Sequence, residues 1–191
     1  DFSGKMGIVG TPVIDTLANA LFFVARSLLN DASGKNFYQD LHKIDLRTGN
    51  DMLTPVAITA KYSGTGDGSY NGSISFDPQR QNQRAALTLS KGNVIITWSS
   101  HCDWGPYHGW VIGYDASSFK QQFVFNTTPG DGEGGIWQSG QGIVVDDKGN
   151  LLMSIGNGGF DQTTGGINHG ESALSLSVNN NQPVINSFFT P

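Results

Sequence analysis

The residues best able to do chemistry lie in one stretch, residues 91–118. His101, Cys102 and Asp103 are consecutive there and His108 follows; Cys102 is the single cysteine of the chain. A thiolate with imidazoles is a ligand set for zinc or copper, and a cysteine beside a histidine could act as a nucleophile. The interpretation that we favour is structural: the histidines cap a hairpin loop by hydrogen bonds, and Cys102 packs as a small apolar group.

Two glycine-rich segments, residues 63–69 and 129–135, have the composition of calcium loops or phosphate cradles. Neither has the spacing of an EF-hand and neither precedes a helix, so we interpret both as tightly turning connections. Acidic side chains in the second segment could still hold a calcium ion. The candidate metal ligands are therefore His101, Cys102, His108, Asp131 and Glu133.

Aromatic side chains accompany these candidates. Trp104, Tyr107 and Trp137 could form a stacking platform for a sugar or a flat cofactor, although packing inside a β-structure is the simpler interpretation. Trp110 stands at the start of an apolar run, where we expect it to pack in the core.

The elements that must position these residues are strands. Residues 94–98 and 110–114 are short runs rich in β-branched and aromatic residues, which favour neighbouring antiparallel strands over helices. Gly105 and Pro106 mark the turn between them.

This order of elements repeats along the chain. Each unit has a strand, a short turn, a second strand, a variable loop and a third strand, and a fourth strand follows. The runs are 10–15, 20–25, 41–49 and 55–59, then 84–89, 93–98, 109–118 and 122–125, then 141–146, 150–155, 172–180 and 184–189. The pattern predicts an all-β protein, a β-propeller of four-stranded antiparallel blades, because a β-sandwich would not repeat this internal order. We expect about three blades, at approximately 7–60, 81–126 and 137–190.

The lengths of the loops predict where a site would lie. The turns between the first and second strands are short, whereas the loops after the second strands and the connections between blades are long. The long segments are 26–40, 99–108, 157–171, 60–83 and 126–140. In an up-and-down blade all of these emerge on one face, which is where a rigid scaffold carries its function. The candidate ligand face comprises His101, Cys102, Asp103, Trp104, Tyr107, His108, Trp137 and His169.

Composition narrows the class of partner. The chain has 191 residues, 26 of them glycine, with 14% charged residues and a net charge of -5. Without a cluster of Lys or Arg, it is not expected to bind nucleic acid or an anionic membrane surface. No apolar run approaches the roughly 20 residues of a membrane span. The low charge favours an exported protein, periplasmic or extracellular.

The repeated pattern resembles the quinoprotein (PQQ-like) β-propeller repeat. The resemblance is carried by Gly-Thr-Pro-Val-Ile-Asp at 10–15, Ile-Asp-Leu-Arg-Thr-Gly at 44–49, and Ser-His-Cys-Asp-Trp-Gly-Pro-Tyr-His-Gly-Trp at 100–110. The resemblance extends over nearly the whole chain. Within the superfamily, the chain is similar to uncharacterised, exported bacterial proteins of a PQQ-binding-like branch. Quinoprotein alcohol dehydrogenases of this superfamily have eight blades and use PQQ with calcium, often beside a pair of adjacent cysteines. This chain has no such pair.

The resemblance implies three functions that the sequence leaves open. The first is an exported quinoprotein-like propeller segment that binds a small molecule, a glycan or a partner through its long-loop face. The second is part of a PQQ- and calcium-dependent periplasmic dehydrogenase, with His101, Asp103, His108 and Trp137 near the cofactor. The third is a structural or assembly subunit. Since propellers have about four to eight blades, we expect further blades or other chains to complete the ring.

Overall fold

The computed structural model describes residues 6–191, and over that range the chain is built almost entirely of β-strands. The one helical segment described is a 3-10 turn, Gln162–Thr164. The strands are β1 Val13–Asp15, β2 Ala20–Asp31, β3 Gly34–Asp45, β4 Val56–Ala57, β5 Lys61–Ser63, β6 Ser73–Ser75, β7 Gln81–Asn82, β8 Thr88–Ser90, β9 Asn93–Ser100, β10 Trp110–Asp115, β11 Gln121–Asn126, β12 Val144–Val145, β13 Leu151–Ser154, β14 Ala173–Asn179 and β15 Gln182–Phe189. The predicted all-β class is confirmed.

The strands form three larger sheets, and each is an antiparallel meander of sequence neighbours. The first sheet has the order β1-β2-β3-β4 and the third has the order β12-β13-β14-β15. The second sheet runs β8-β9-β10-β11, and β7 pairs with the far end of β9. A small hairpin, β5-β6, lies in the connection between the first and second sheets. Each predicted repeat therefore corresponds to one sheet.

The second sheet lies between the other two. Residues of β9 alternate in direction, so Ile96 and Trp98 join a buried cluster with Phe22 and Leu41 of the first sheet. Ile95 points to the opposite side and joins a buried cluster with Leu174 and other residues of the third sheet. Because both faces are covered, every residue of β9 from Val94 onward is buried. This is how consecutive propeller blades pack face to face.

One predicted loop is wrong. Residues 26–40 were expected to be a long loop, but β2 and β3 continue as a hairpin through paired residues up to Asp31 and Gly34. The sequence pattern missed the extension because it has no apolar alternation: residues 27–35 are exposed on both faces of the arm. Main-chain pairing holds this hairpin together without a buried side.

The proposed blade limits, 7–60, 81–126 and 137–190, remain our proposal; the strands of the three sheets fall within them. Within the described residues, no helix has the length and apolar character needed to cross a membrane.

Candidate functional site

Four long segments meet in one hydrogen-bonded layer, which we call the loop face: residues 63–70, 101–109, 126–137 and 156–171. Main-chain N–H groups of Thr65 and Asp67 donate to the carbonyls of Pro129 (2.9 Å) and Asp131 (2.7 Å). The second and fourth segments join the third in the same way, since Gly109 N–H donates to Glu133 O (3.0 Å) and His169 N–H donates to Thr127 O (2.9 Å). Four of the five predicted long segments are thus joined to one another; the fifth, residues 26–40, is the β2–β3 hairpin.

An acidic cavity of about 520 Å³ opens in the loop face. Its carboxylates come from three segments: Asp67 from the first, Asp131 and Glu133 from the third, and Glu171 from the fourth. Asn157 completes the polar lining, and among residues 6–191 no cationic side chain takes part in it. The clustered carboxylates give the cavity a negative potential, which favours cations and repels anions.

Neutral donors orient two carboxylates at this site. The Asn157 amide donates to Glu133 Oε2 (3.0 Å) and to Asp103 Oδ1 (3.4 Å). The Tyr107 hydroxyl donates to the same Asp103 oxygen at 2.7 Å. Burial, this hydrogen bond and the nearby negative charges raise the pKa of Tyr107. The phenol therefore stays protonated and acts as a fixed hydrogen-bond donor.

Glycines allow the segments to approach this closely. Gly158 has φ +149, and a Cβ there would lie 2.6 Å from the main-chain nitrogen of Gly134. A Cβ on Gly159 would lie 1.9 Å from Asp131 Oδ2. The glycine-rich sequence of these loops is therefore required by the close packing of the loop face.

His108 is a buried structural tie. Its Nε2 lies 2.8 Å from the carbonyl oxygen of Asp67, to which it must donate, and its Nδ1 lies 3.1 Å from Thr128 Oγ1. Burial lowers the pKa of His108, so the ring is neutral at pH 7. Both ring nitrogens are engaged within the protein, and neither is directed to a metal ion.

Two buried glutamines, which no sequence pattern distinguishes, support His108. The Gln81 amide donates to His108 O (2.6 Å) and to Ser99 O (3.3 Å), and its Oε1 accepts from the His108 N–H (3.3 Å). The Gln39 amide donates to Gln81 O (2.7 Å) and its Oε1 accepts from Trp98 Nε1 (2.8 Å). Only their burial within the folded chain distinguishes these side chains from surface glutamines.

His101 and Cys102 lie apart from this network. His101 is half-buried and contacts the Arg26 guanidinium; burial and the charges of Arg26 and Arg84 lower its pKa to about 4. Cys102 is exposed, with φ 52. Among residues 6–191, no three His, Cys, Asp or Glu side chains are arranged to hold a metal ion. The predicted set of metal ligands therefore stays a prediction, because residues 6–191 show no arrangement of these side chains around a common point.

The predicted aromatic platform is divided among different contacts. The Arg80 guanidinium covers the Trp104 ring at 4.7 Å from its centroid. Trp137 packs edge-to-face with Tyr107, with centroids 6.3 Å apart, and Trp110 is buried in the core. The expected packing role of Trp110 is confirmed.

His169 lines a second, separate cavity of about 220 Å³. Tyr62, Phe125 and Asn126 line it from the side of the second sheet and its preceding connection, and Ile185 lines it from the third sheet. Of the predicted ligand-face residues, Asp103 and His108 are hydrogen-bonded to Asn157 and Asp67 of the acidic cavity, and Tyr107 is bonded to Asp103. The structure places His101, Cys102 and Trp104 to one side and His169 in this second cavity.

Similar folds occur among solved structures. One is the quinohemoprotein alcohol dehydrogenase ADHIIG from Pseudomonas putida HK5, with a TM-score of 0.55 and 16% identity over 99% of this chain and 35% of that one. The fold is that of a quinoprotein β-propeller. Another propeller, the quinohemoprotein alcohol dehydrogenase from Comamonas testosteroni, has a TM-score of 0.48 and 15% identity over 97% of this chain and 35% of that one. No protein-family model and no curated protein matches the sequence.

The predicted quinoprotein-like propeller is confirmed as a fold. The narrower placement in the bacterial PQQ-binding-like branch stays a prediction. The chain spans about a third of the length of the propellers it matches, 35% in each case.

The acidic cavity of the propeller does not fit PQQ by itself. PQQ is a flat anion with several carboxyl groups, and the cavity presents carboxylates from Asp67, Asp131, Glu133 and Glu171 without a cationic side chain. Like charges at this distance repel, and the described carboxylates do not form a metal-binding group that could bridge them. Within residues 6–191, the lining of the acidic cavity therefore provides no cradle for the quinone.

Proposed function

We propose that this chain is an exported propeller segment that binds a ligand or partner through its loop face. The observation that supports the proposal best is the convergence of four long segments in the loop face, three of which line the acidic cavity. Main-chain bonds such as Asp67 N–H to Asp131 O (2.7 Å) hold these segments in place before any ligand arrives. A preformed polar concavity of about 520 Å³ on a rigid β-scaffold is suited to binding.

The chemistry of the lining defines the ligand class. Carboxylates at Asp67, Asp131, Glu133 and Glu171 attract positively charged groups, and the Asn157 amide adds a neutral hydrogen-bonding group. A polyamine or a lysine-bearing partner segment fits this lining better than an anion does. Hydroxyl-rich ligands such as glycans fit the hydrogen-bonding groups but gain nothing from the charge.

The test is a titration with spermidine as the cationic probe and citrate as the anionic control. The NMR shifts of the main-chain amides are measured at each step. We expect spermidine to cause saturable shifts in residues around the acidic cavity, and Glu171→Gln to weaken its binding several-fold. The charge-matched control Asp147→Asn lies in an exposed turn between β12 and β13 and should leave the affinity unchanged. Equal, non-saturable amide shifts around the acidic cavity and in the turn between β12 and β13 would refute binding at the loop face.

A second candidate is part of a PQQ- and calcium-dependent dehydrogenase, because the fold matches a quinohemoprotein alcohol dehydrogenase at a TM-score of 0.55. In this proposal other blades supply the quinone site, since the acidic cavity does not fit it. Adding PQQ and calcium to the full-length protein and measuring alcohol-dependent dye reduction tests it. Absence of turnover and of quinone absorbance after dialysis would exclude this candidate.

The partners in either case include further blades, from the same polypeptide or from other chains, because propellers close with about four to eight blades. The third sheet offers β15, an eight-residue outer strand with Phe189 67% exposed, for such packing. A stable monomer of this chain in sedimentation experiments would count against an assembly subunit that pairs through its blade edges.

A further inference from the structure

The second cavity has features that neither the acidic cavity nor the proposed function uses. It lies where β5, β11, β15 and the loop at residues 156–171 meet, and its volume is about 220 Å³. Tyr62 and Phe125 provide aromatic surface, with ring centroids 6.5 Å apart in an edge-to-face arrangement. Pro183 and Ile185 add apolar surface from the third sheet, and no charged side chain of the described residues lines the cavity.

Asn126 brings a hydrogen-bond donor to this apolar lining. The residue is 1% exposed, and its Oδ1 accepts the Thr128 N–H at 3.0 Å. That bond fixes the orientation of the amide, because a flipped amide would place two donors together. The remaining Nδ2 is buried and has no hydrogen-bond partner within residues 6–191.

His169 brings a second polar atom. The residue is 2% exposed, its main-chain N–H donates to Thr127 O (2.9 Å), and its ring packs against Phe125 with centroids 5.8 Å apart. Its Nδ1 is likewise buried without a partner in the described part of the chain. Burial lowers the pKa of His169, so at pH 7 the imidazole is neutral and one ring nitrogen accepts.

The Asn126 side chain and the His169 main chain are bonded to adjacent residues, Thr128 and Thr127. Buried polar atoms of native proteins are nearly always hydrogen-bonded, and unpaired ones need an explanation. Six buried side-chain atoms within residues 6–191 lack a partner, and two of them, on Asn126 and His169, belong to residues that line this one aromatic cavity. The simplest physical explanation is a bound molecule that accepts from Asn126 and donates to His169.

We propose that this cavity binds a small, neutral, aromatic molecule that carries an amide-like group. The carbonyl accepts from Asn126 Nδ2, the N–H donates to His169 Nδ1, and the ring packs on Tyr62 and Phe125. An empty cavity of about 150 Å³ holds benzene, so about 220 Å³ accommodates one ring with an amide substituent. A carboxylate is disfavoured because no cation lines the cavity and the chain is net negative. The proposal is independent of ligand binding at the acidic cavity.

The experiment is an NMR titration with benzamide as probe, and with toluene and benzoate as controls. We expect saturable shifts of the Asn126 side-chain amide and of the His169 ring nitrogens with benzamide. Toluene, which has no polar group, and benzoate, which is charged, should bind at least about tenfold more weakly. No saturable shift of these two side chains with benzamide, or equal affinity for toluene, would overturn the proposal.

A pair of variants separates this site from the loop-face proposal. His169→Phe keeps a ring of similar size but removes the nitrogens, and should weaken benzamide about tenfold while leaving toluene unchanged. Glu171→Gln, in the acidic cavity, should alter spermidine binding and leave benzamide unchanged. If His169→Phe does not fold, the side-chain nitrogen shifts of the unmodified protein decide the question alone.

Discussion

The Nε2 of His108 lies 2.8 Å from the main-chain oxygen of Asp67, a residue 41 positions earlier in the chain. This bond ties the loop between β9 and β10 to the connection between the first and second sheets. Gln81 holds the main chain of His108 from the other side, so the tie is part of a buried polar network. Such networks fix loops in one arrangement because each member would be costly to leave unpaired in the interior.

The tie should contribute measurably to stability. His108→Leu leaves Asp67 O and Thr128 Oγ1 without this partner, and we expect the free energy of unfolding to fall by about 1–3 kcal/mol. Urea unfolding followed by tryptophan fluorescence measures it. The control His42→Leu removes a partly exposed histidine paired with Asp51 and should change the value by no more than about 0.5 kcal/mol. Equal effects of the two substitutions would contradict the structural role of His108.

Stability should fall as the solution is acidified below pH 6.5. Folding lowers the pKa values of His101, His108 and His169, that of His101 from 6.5 to about 4. Within this window the unfolded chain binds more protons than the folded one, so stability is full above pH 6.5 and decreases as the pH falls toward 4. Urea midpoints at pH 7.5, 6, 5 and 4 measure the slope. His108→Leu should show a shallower slope than the unmodified protein.

Acidic side chains change the free energy of unfolding in a lower pH range than the histidines do. The two contributions can therefore be measured separately. Asp45 bonds to Arg47, and its pKa is lowered from 3.8 to about 2; Asp115, bonded to Ser117, is shifted in the same direction. Their contribution is lost only as the pH falls below 3.8. A loss of stability confined to pH values below 3.8 would show that the histidines are not responsible.

Close main-chain packing at Gly109 should make that position intolerant of any side chain. A Cβ there would lie 2.0 Å from Gly134 O and 2.6 Å from Thr127 Oγ1. We expect Gly109→Ala to lower the free energy of unfolding by about 1–3 kcal/mol, because main-chain atoms must shift. At Gly7 nothing lies within 4 Å of such a Cβ, so Gly7→Ala is the matched control. Thermal unfolding compares the stability of the two variants. A Gly109→Ala variant as stable as Gly7→Ala would contradict the close main-chain packing at Gly109.

The exposed arm of the β2–β3 hairpin should be dispensable for folding. Replacing residues 29–36 with Asn-Gly keeps the register, since Leu28 pairs with Phe37, and provides a favoured two-residue turn. We expect the free energy of unfolding to change by less than about 0.5 kcal/mol, because the removed side chains are largely exposed. Denaturant unfolding with sedimentation measures the result. Loss of the folded state would show that the arm supports the core.

Several features followed from the sequence alone because they depend on local pattern. Apolar runs at 94–98 and 110–114 identified the central strands, and their repetition predicted the three sheets. Loop lengths predicted that the long segments converge. The hairpin at residues 26–40 was missed because pairing between exposed strands leaves no apolar periodicity.

The tertiary structure alone decided which polar residues matter. Gln39 and Gln81 have no distinguishing sequence context, and each acquires its role by burial against residues distant in the chain. In the same way, His108 and His169 differ in their bonding: both ring nitrogens of His108 have partners, whereas His169 Nδ1 has none within residues 6–191. Sequence specifies strands through side-chain alternation, but hydrogen-bond satisfaction is a property of the assembled interior, where desolvation makes each partner decisive.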